Sequence, residues 1–137
     1  MVFSPRFGRV ILLIAIIGIC AGCMQPAQSG SKTSAGYSDV TAQEARSLKH
    51  ASEGKLVIID VSSAYDDGHL PMAISIPLGS LDAKIATLDK SRPYLVYGNA
   101  DDTSIAGATK LVNAGFSPVY RLKGNYASWV EAGYPAE

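Results

Sequence analysis

The run Leu56-Val57-Ile58-Ile59-Asp60-Val61 constrains the fold more than any other stretch of the chain. It has the length of a strand and meets no polar residue before Asp60, so neither of its faces can be turned to water. Such a strand belongs in the interior of a parallel sheet covered by helices on both sides. The flanking punctuation agrees. Thr41 and Glu44 stand at capping-box spacing, and Ala42, Ala45, Leu48 and Ala51 recur at helical period up to Gly54. After a polar turn from Ser62 to Gly68, Pro71 and Pro77 bracket a short strand at Ala73 to Ile76, and Gly79 to Leu88 carries Leu81, Ile85 and Leu88 on one helical side. Tyr94-Leu95-Val96-Tyr97 reads as a further strand that stops at Gly98. A helix is expected from Ser104, with Ile105, Ala108, Leu111 and Val112 on one face, closed by Gly115 with Phe116 packing back on it. Val119 to Leu122 is the next strand. Asn125 is expected to cap a last helix whose Tyr126 and Trp129 pack on the core. Alternating strands and helices imply an α/β fold, a parallel sheet of about five strands between two helical layers.

The chain of 137 residues has room for one such domain and a targeting segment. Arg6 and Arg9 lie in an acid-free start, Val10 to Ala21 is an unbroken apolar and glycine run, and Gly22-Cys23 follows. This is the pattern of a secretory signal over residues 1–22, shorter than the roughly 20 apolar residues that span a bilayer. Ala21-Gly22-Cys23 resembles the bacterial lipobox, with Cys20 where leucine is usual, and implies cleavage before Cys23 and lipidation of its sulfur. The alternative is an uncleaved N-terminal anchor, since no charge occurs from Val10 to Ser31. Either way the basic start stays on the cytoplasmic side and the domain lies on the extracytoplasmic face of the cell membrane. Residues 23–38 are rich in Gln, Ser, Gly, Thr and Ala and lack Leu, Ile and Val, so they are expected to form a flexible tether to a domain at 39–137.

Charge and cysteine usage narrow the function. Removing residues 1–22 takes two of the twelve basic residues, leaving ten against twelve acids, which argues against nucleic acid as a partner. Both cysteines, Cys20 and Cys23, lie in the targeting segment, so the domain holds neither disulfide nor thiol and depends on its apolar core.

Ligand crevices in open α/β sheets form beyond the carboxyl ends of strands. Asp60 and the loop at Gly98 both fall there, and a strand, tight loop and helix start converge backbone amides on one point. The oxygen ligands Asn99, Asp101 and Asp102 lie close together as hard cations require, yet lack an EF-hand pattern; Asp101 and Asp102 are weak metal candidates, and solvated loop acids with Asp102 or Thr103 capping the helix are expected instead. Asp60, Ser62 and His69 name the members of a triad without its spacing, and His69 is expected to fix its own loop by bonding backbone. His50 at a helix end suits the dipole and carries no assigned role. No cofactor is implied.

Several blocks stand together in one order: Asp60-Val61, Gly68-His69-Leu70-Pro71-Met72-Ala73-Ile74-Ser75-Ile76-Pro77, Val96-Tyr97, Ala114-Gly115-Phe116, Val119-Tyr120 to Lys123-Gly124, then Trp129 and Gly133. In order and spacing they resemble a rhodanese-like domain over residues 39 to 137. The resemblance implies an active-site loop at Gly98, Asn99, Ala100, Asp101, Asp102, Thr103 and Ser104, supported by Asp60, Ser62 and His69. It also implies a nucleophilic cysteine, a carrier of persulfide sulfur, at the position that is Gly98 here. The arginine common after the family's Asp-Val pair is Ser62, and no Lys or Arg occurs between Arg92 and Lys110, so two carboxylates face a cradle built for anions. Two classes of function remain: a non-catalytic module that binds a protein or small ligand through the crevice, and an enzyme or carrier that handles sulfur compounds or a metal ion without the usual thiol.

Overall fold

A computed structural model describes residues 30–137. The targeting segment 1–22, the lipidation candidate Cys23 and the first part of the tether lie outside the described residues. Among the described residues no helix is long and apolar enough to cross a membrane. The elements in chain order are β1 (Ser31–Lys32), β2 (Ser38–Val40), α1 (Ala42–Ala51), β3 (Val57–Asp60), β4 (Ala73–Ser75), α2 (Leu78–Ile85), β5 (Tyr94–Tyr97), α3 (Asp101–Asn113), β6 (Val119–Leu122) and α4 (Asn125–Glu131). They form one six-stranded sheet in the order β1-β2-β6-β5-β3-β4, parallel throughout except for β1 against β2.

Period-two alternation along the central strands sorts the core into two layers. Ile58, Leu95, Tyr97 and Leu122 meet Ala42, Ala45 and Trp129 from α1 and α4. Ile59, Val61, Tyr94, Val96 and Val119 meet Leu81, Ala108, Leu111 and Phe116 on the α2 and α3 side. Each large apolar side chain buried this way contributes about 1.5–3 kcal/mol relative to exposure. Helix α3 lies close on the sheet because Gly107 has no Cβ; one there would come within 3.1 Å of methyls on Val61 and Val96.

Local signals set several boundaries. Thr41 Oγ1 accepts the Glu44 N–H at 3.2 Å while the Glu44 carboxylate accepts the Thr41 N–H at 2.7 Å, a complete capping box. At the end of α3, Gly115 has φ +89, its N–H donates to the Val112 carbonyl, and the Phe116 N–H donates to that of Leu111, which satisfies two orphan carbonyls.

Two expectations are corrected. The tether does not run to residue 38: Ser31–Lys32 pairs with Ser38–Asp39, and Thr33 donates from both N–H and hydroxyl to the Tyr37 carbonyl at 2.8 Å, a turn that delivers buried Tyr37 to the core. One aromatic residue anchors a stretch whose composition otherwise cannot pack, and it raises the strand number from about five to six. Helix α3 begins at Asp101 rather than Ser104. Two acids in its first turn suit the positive end of the helix dipole, and the N-cap is Ala100, without a side-chain cap from Asp102 or Thr103.

Candidate functional site

Register places the two carboxyl ends side by side: Asp60, the last residue of β3, pairs with Tyr97, the last of β5. Gly98 follows, buried, and only Asn99 and Ala100, both exposed, separate it from the first turn of α3. The crevice loop is therefore three residues long, and its wall is the helix turn whose amides no intrahelical carbonyl can take.

Residues from β6 and α4 hold this loop. Asn125 does not cap α4; Gly124, at φ +79, occupies the N-cap, and Asn125 itself adopts φ +57, a left-handed conformation that asparagine tolerates. Its side chain is thereby turned to the loop: Oδ1 accepts the Gly98 N–H at 3.2 Å and Nδ2 donates to Asp101 Oδ1 at 2.9 Å. The next amide, that of Tyr126, donates to the Gly98 carbonyl at 3.1 Å. Both backbone groups of Gly98 are thus engaged by consecutive residues of α4.

Arg121 supplies the charge. Its side chain is 6% exposed; Nε donates to Asp39 Oδ1 at 2.6 Å, and Nη1 donates to Asp101 Oδ1 at 2.8 Å and to Ser104 Oγ at 3.4 Å. Burial disfavours the guanidinium charge, but hydrogen bonds to Asp39 and Asp101 outweigh it and hold the Arg121 pKa above its ordinary value. This corrects the picture of a loop with two uncompensated carboxylates, for Asp101 has a cation brought from another strand. Asp102 is exposed and accepts the Thr103 N–H at 2.7 Å. Among the described residues no group of three His, Cys, Asp or Glu side chains is arranged to hold a metal.

The other flank is self-contained. Asp60 is buried, and its Oδ1 accepts the Ser62 N–H at 2.8 Å, while Ser62 Oγ accepts the Ala64 N–H at 3.2 Å. His69 stacks on Tyr65 at 3.8 Å between centroids, its Nδ1 lies 3.1 Å from the Tyr65 carbonyl, and its backbone exchanges two hydrogen bonds with Glu137. No hydrogen bond among the described residues joins His69 to Asp60 or Ser62, so the triad on paper is not assembled. The tie between this flank and β5 is the Tyr97 hydroxyl, which accepts the Leu70 N–H at 3.1 Å. Burial, offset in part by that N–H and reinforced by Asp60, pushes the Tyr97 pKa well above its ordinary value.

Gly98 is not a steric necessity. A Cβ there would meet Val61 Cγ2 at 3.6 Å and Thr103 Cβ and Cγ2 at 3.7 Å, ordinary van der Waals contact. The site can accommodate a side chain there, and the two cysteines of the chain, Cys20 and Cys23, stand elsewhere in the sequence.

Comparison with known proteins follows the same outline. A family model described as a rhodanese-like domain matches residues 41–132. The chain is 29% identical over 103 residues to a thiosulfate sulfurtransferase GlpE of Pseudomonas savastanoi pv. phaseolicola, covering 74% of this chain and 93% of that protein. It is 33% identical over 76 residues to a thiosulfate sulfurtransferase GlpE of Coxiella burnetii, covering 54% and 71% respectively. Among solved structures it resembles the Alr3790 protein of Anabaena sp., with a TM-score of 0.65 and 35% identity over 72% of this chain and 80% of that one.

Proposed function

Because the chain belongs to the rhodanese-like domain family, related to sulfurtransferases, we propose that it is a membrane-anchored, extracytoplasmic binding or regulatory module whose crevice no longer performs covalent sulfur transfer. The observation that carries this reading is Gly98: it stands at the end of β5, before the turn where the family resemblance implies a persulfide-bearing cysteine. A thiolate there would gain from the convergent amides and the helix N-terminus. Without the sulfur atom the same amides offer recognition and no covalent step.

Two further features support recognition rather than turnover. The Gly98 backbone is clamped by Asn125 and Tyr126, and Asp101 is fixed by Arg121 and Asn125, so protein groups set the shape of the loop. Asp102 adds an exposed negative charge at the mouth, which opposes thiosulfate or sulfite. A protein segment or an uncharged small ligand suits this crevice better.

A thermal-shift panel of thiosulfate, sulfite, sulfide, calcium and zinc tests the reading, because a ligand selective for the native state raises the midpoint. No shift is expected from any of the five. A concentration-dependent rise with one of them would favour instead a carrier or enzyme that handles sulfur compounds or a metal ion without a thiol.

A further inference from the structure

The two ends of the sheet differ in charge. At the crevice end stand Asp66, Asp67, Asp101 and Asp102, with Lys123 the exposed cation and Arg121 taken up by Asp39 and Asp101. At the opposite end α1, α2 and α3 finish and β3, β5 and β6 begin. That end carries Lys49, Lys55, Lys84, Lys90 and Arg92 against Glu53 and Asp89. Asp89 Oδ1 accepts the N–H and hydroxyl of Ser91 at 2.9 and 2.6 Å, which keeps it ionised, so five cations stand against two carboxylates. Arg92 draws two turns together, donating from Nε to the Lys55 carbonyl at 2.8 Å and from Nη2 to that of Gly54 at 3.0 Å.

An apolar element sits inside this basic rim. A cavity of about 240 Å³ opens between the end of α1 and the start of β4, floored by Leu56, Ile58 and Met72 and edged by Lys49, His50 and Glu53. Met72 is 68% exposed at φ +69, and Glu53 has φ +49, so two side chains that ordinarily avoid left-handed backbone line one depression. Complementing helix dipoles accounts for Lys49 and Lys84, which lie in last turns. Arg92 is used by the two carbonyls and Lys90 Nζ lies 5.5 Å from the Phe116 ring centroid, but nothing of this kind accounts for the exposed Lys55 or for a methionine held out in water.

We propose that this end of the domain rests on an anionic lipid bilayer, with the basic side chains on the headgroups, Met72 at the headgroup–acyl boundary, and the crevice facing away from the membrane. The inference rests on the anchored reading above and adds an orientation to it. Charge complementarity selects the face, because an anionic surface attracts clustered lysines and arginines and repels the acidic crevice end. Reach allows it although the chain enters the sheet at Gly30, beside Val40 and thus at the crevice end: the seven steps from Cys23 to Gly30 extend to at most about 25 Å, more than the height of four-residue strands that rise about 3.3 Å per residue.

The test uses the full chain reconstituted with zwitterionic vesicles and with vesicles containing anionic lipid. Flotation reads the anchor, and the acetylation rate of each lysine, followed by mass spectrometry, reads the docked face. Lys49, Lys55, Lys84 and Lys90 are expected to label several-fold more slowly on anionic than on zwitterionic vesicles, with Lys123 at the crevice end unchanged. The protection is expected to vanish at about 1 M salt, where the Debye length falls to about 3 Å. A Lys55→Glu, Met72→Glu variant is expected to float and melt as the parent does and to lose the protection. Equal labelling on both vesicle types in a chain that floats overturns the orientation and leaves the anchor standing; a chain that does not float overturns both. Protection by polyglutamate in solution, without protection on anionic vesicles, would assign the face to an acidic protein and overturn the bilayer.

Discussion

The crevice loop has two neighbours of opposite character. On the β3 and β4 side, Asp60 closes on Ser62 and His69 closes on Tyr65 and Glu137, so the polar groups of that flank satisfy one another and leave the loop alone. On the β6 and α4 side, Arg121, Asn125 and Tyr126 reach across and hold Gly98, Asp101 and Ser104. The difference teaches that the shape of the loop has one owner in this fold. It is secured from β6 and α4, with Gly98 itself contributing only backbone groups.

The largest effect is expected from removing the charge on the gripping side. Arg121→Met removes charge-assisted hydrogen bonds to Asp39 and Asp101, whose carboxylates keep contact with water, and should lower unfolding free energy by about 2–3 kcal/mol in urea titrations. A loss as small as that of an exposed salt bridge would break the comparison. Next comes the alkaline limb set by Tyr97. Its folded pKa is raised, so its contribution is intact below the unfolded value near pH 10 and is lost as pH climbs toward the folded one. Stability should fall there by about 1.4 kcal/mol per pH unit on this account, and Tyr97→Phe should flatten the slope, with Tyr94, also raised by burial, giving a residual one.

Asn125→Gly keeps the left-handed backbone and deletes the amide clamp. It should cost about 1–2 kcal/mol and speed hydrogen exchange at the Gly98 amide, sharpening the assignment of loop shape to α4. On the other flank Ser62→Ala removes one acceptor from the Ala64 N–H and should cost about 0.5–1 kcal/mol, with Gly98 exchange unchanged.

How much of this was legible depends on the distance between partners. The capping box at Thr41 and Glu44 and the glycine stop at Gly115 are local, and both stand as the spacing implies. The interior strands were legible because apolar residues on both faces admit one environment. The grip on the loop was not: Arg121 meets Asp101 twenty positions away and Asp39 eighty-two positions away, and no spacing rule links them. A signal did exist in Arg121 itself, an arginine in the strand run Val119 to Leu122 that must find carboxylates if the sheet buries it. Asn at a helix start suggests a cap, whereas Gly124 and Asn125 together form a left-handed turn that sends the Asn125 amide elsewhere. The first strands escaped notice because a single aromatic, Tyr37, brings a polar stretch into the sheet.

The account turns on one missing atom, and transfer of sulfur from thiosulfate to cyanide measures its consequence, with the native chain and Gly98→Cys assayed side by side. The native chain is expected to remain at the background rate, while the variant, having room for the side chain and an intact amide turn, acquires a persulfide located to residue 98 by peptide mass. Turnover by the native chain above background would contradict the assignment of Gly98 as the lost nucleophile position.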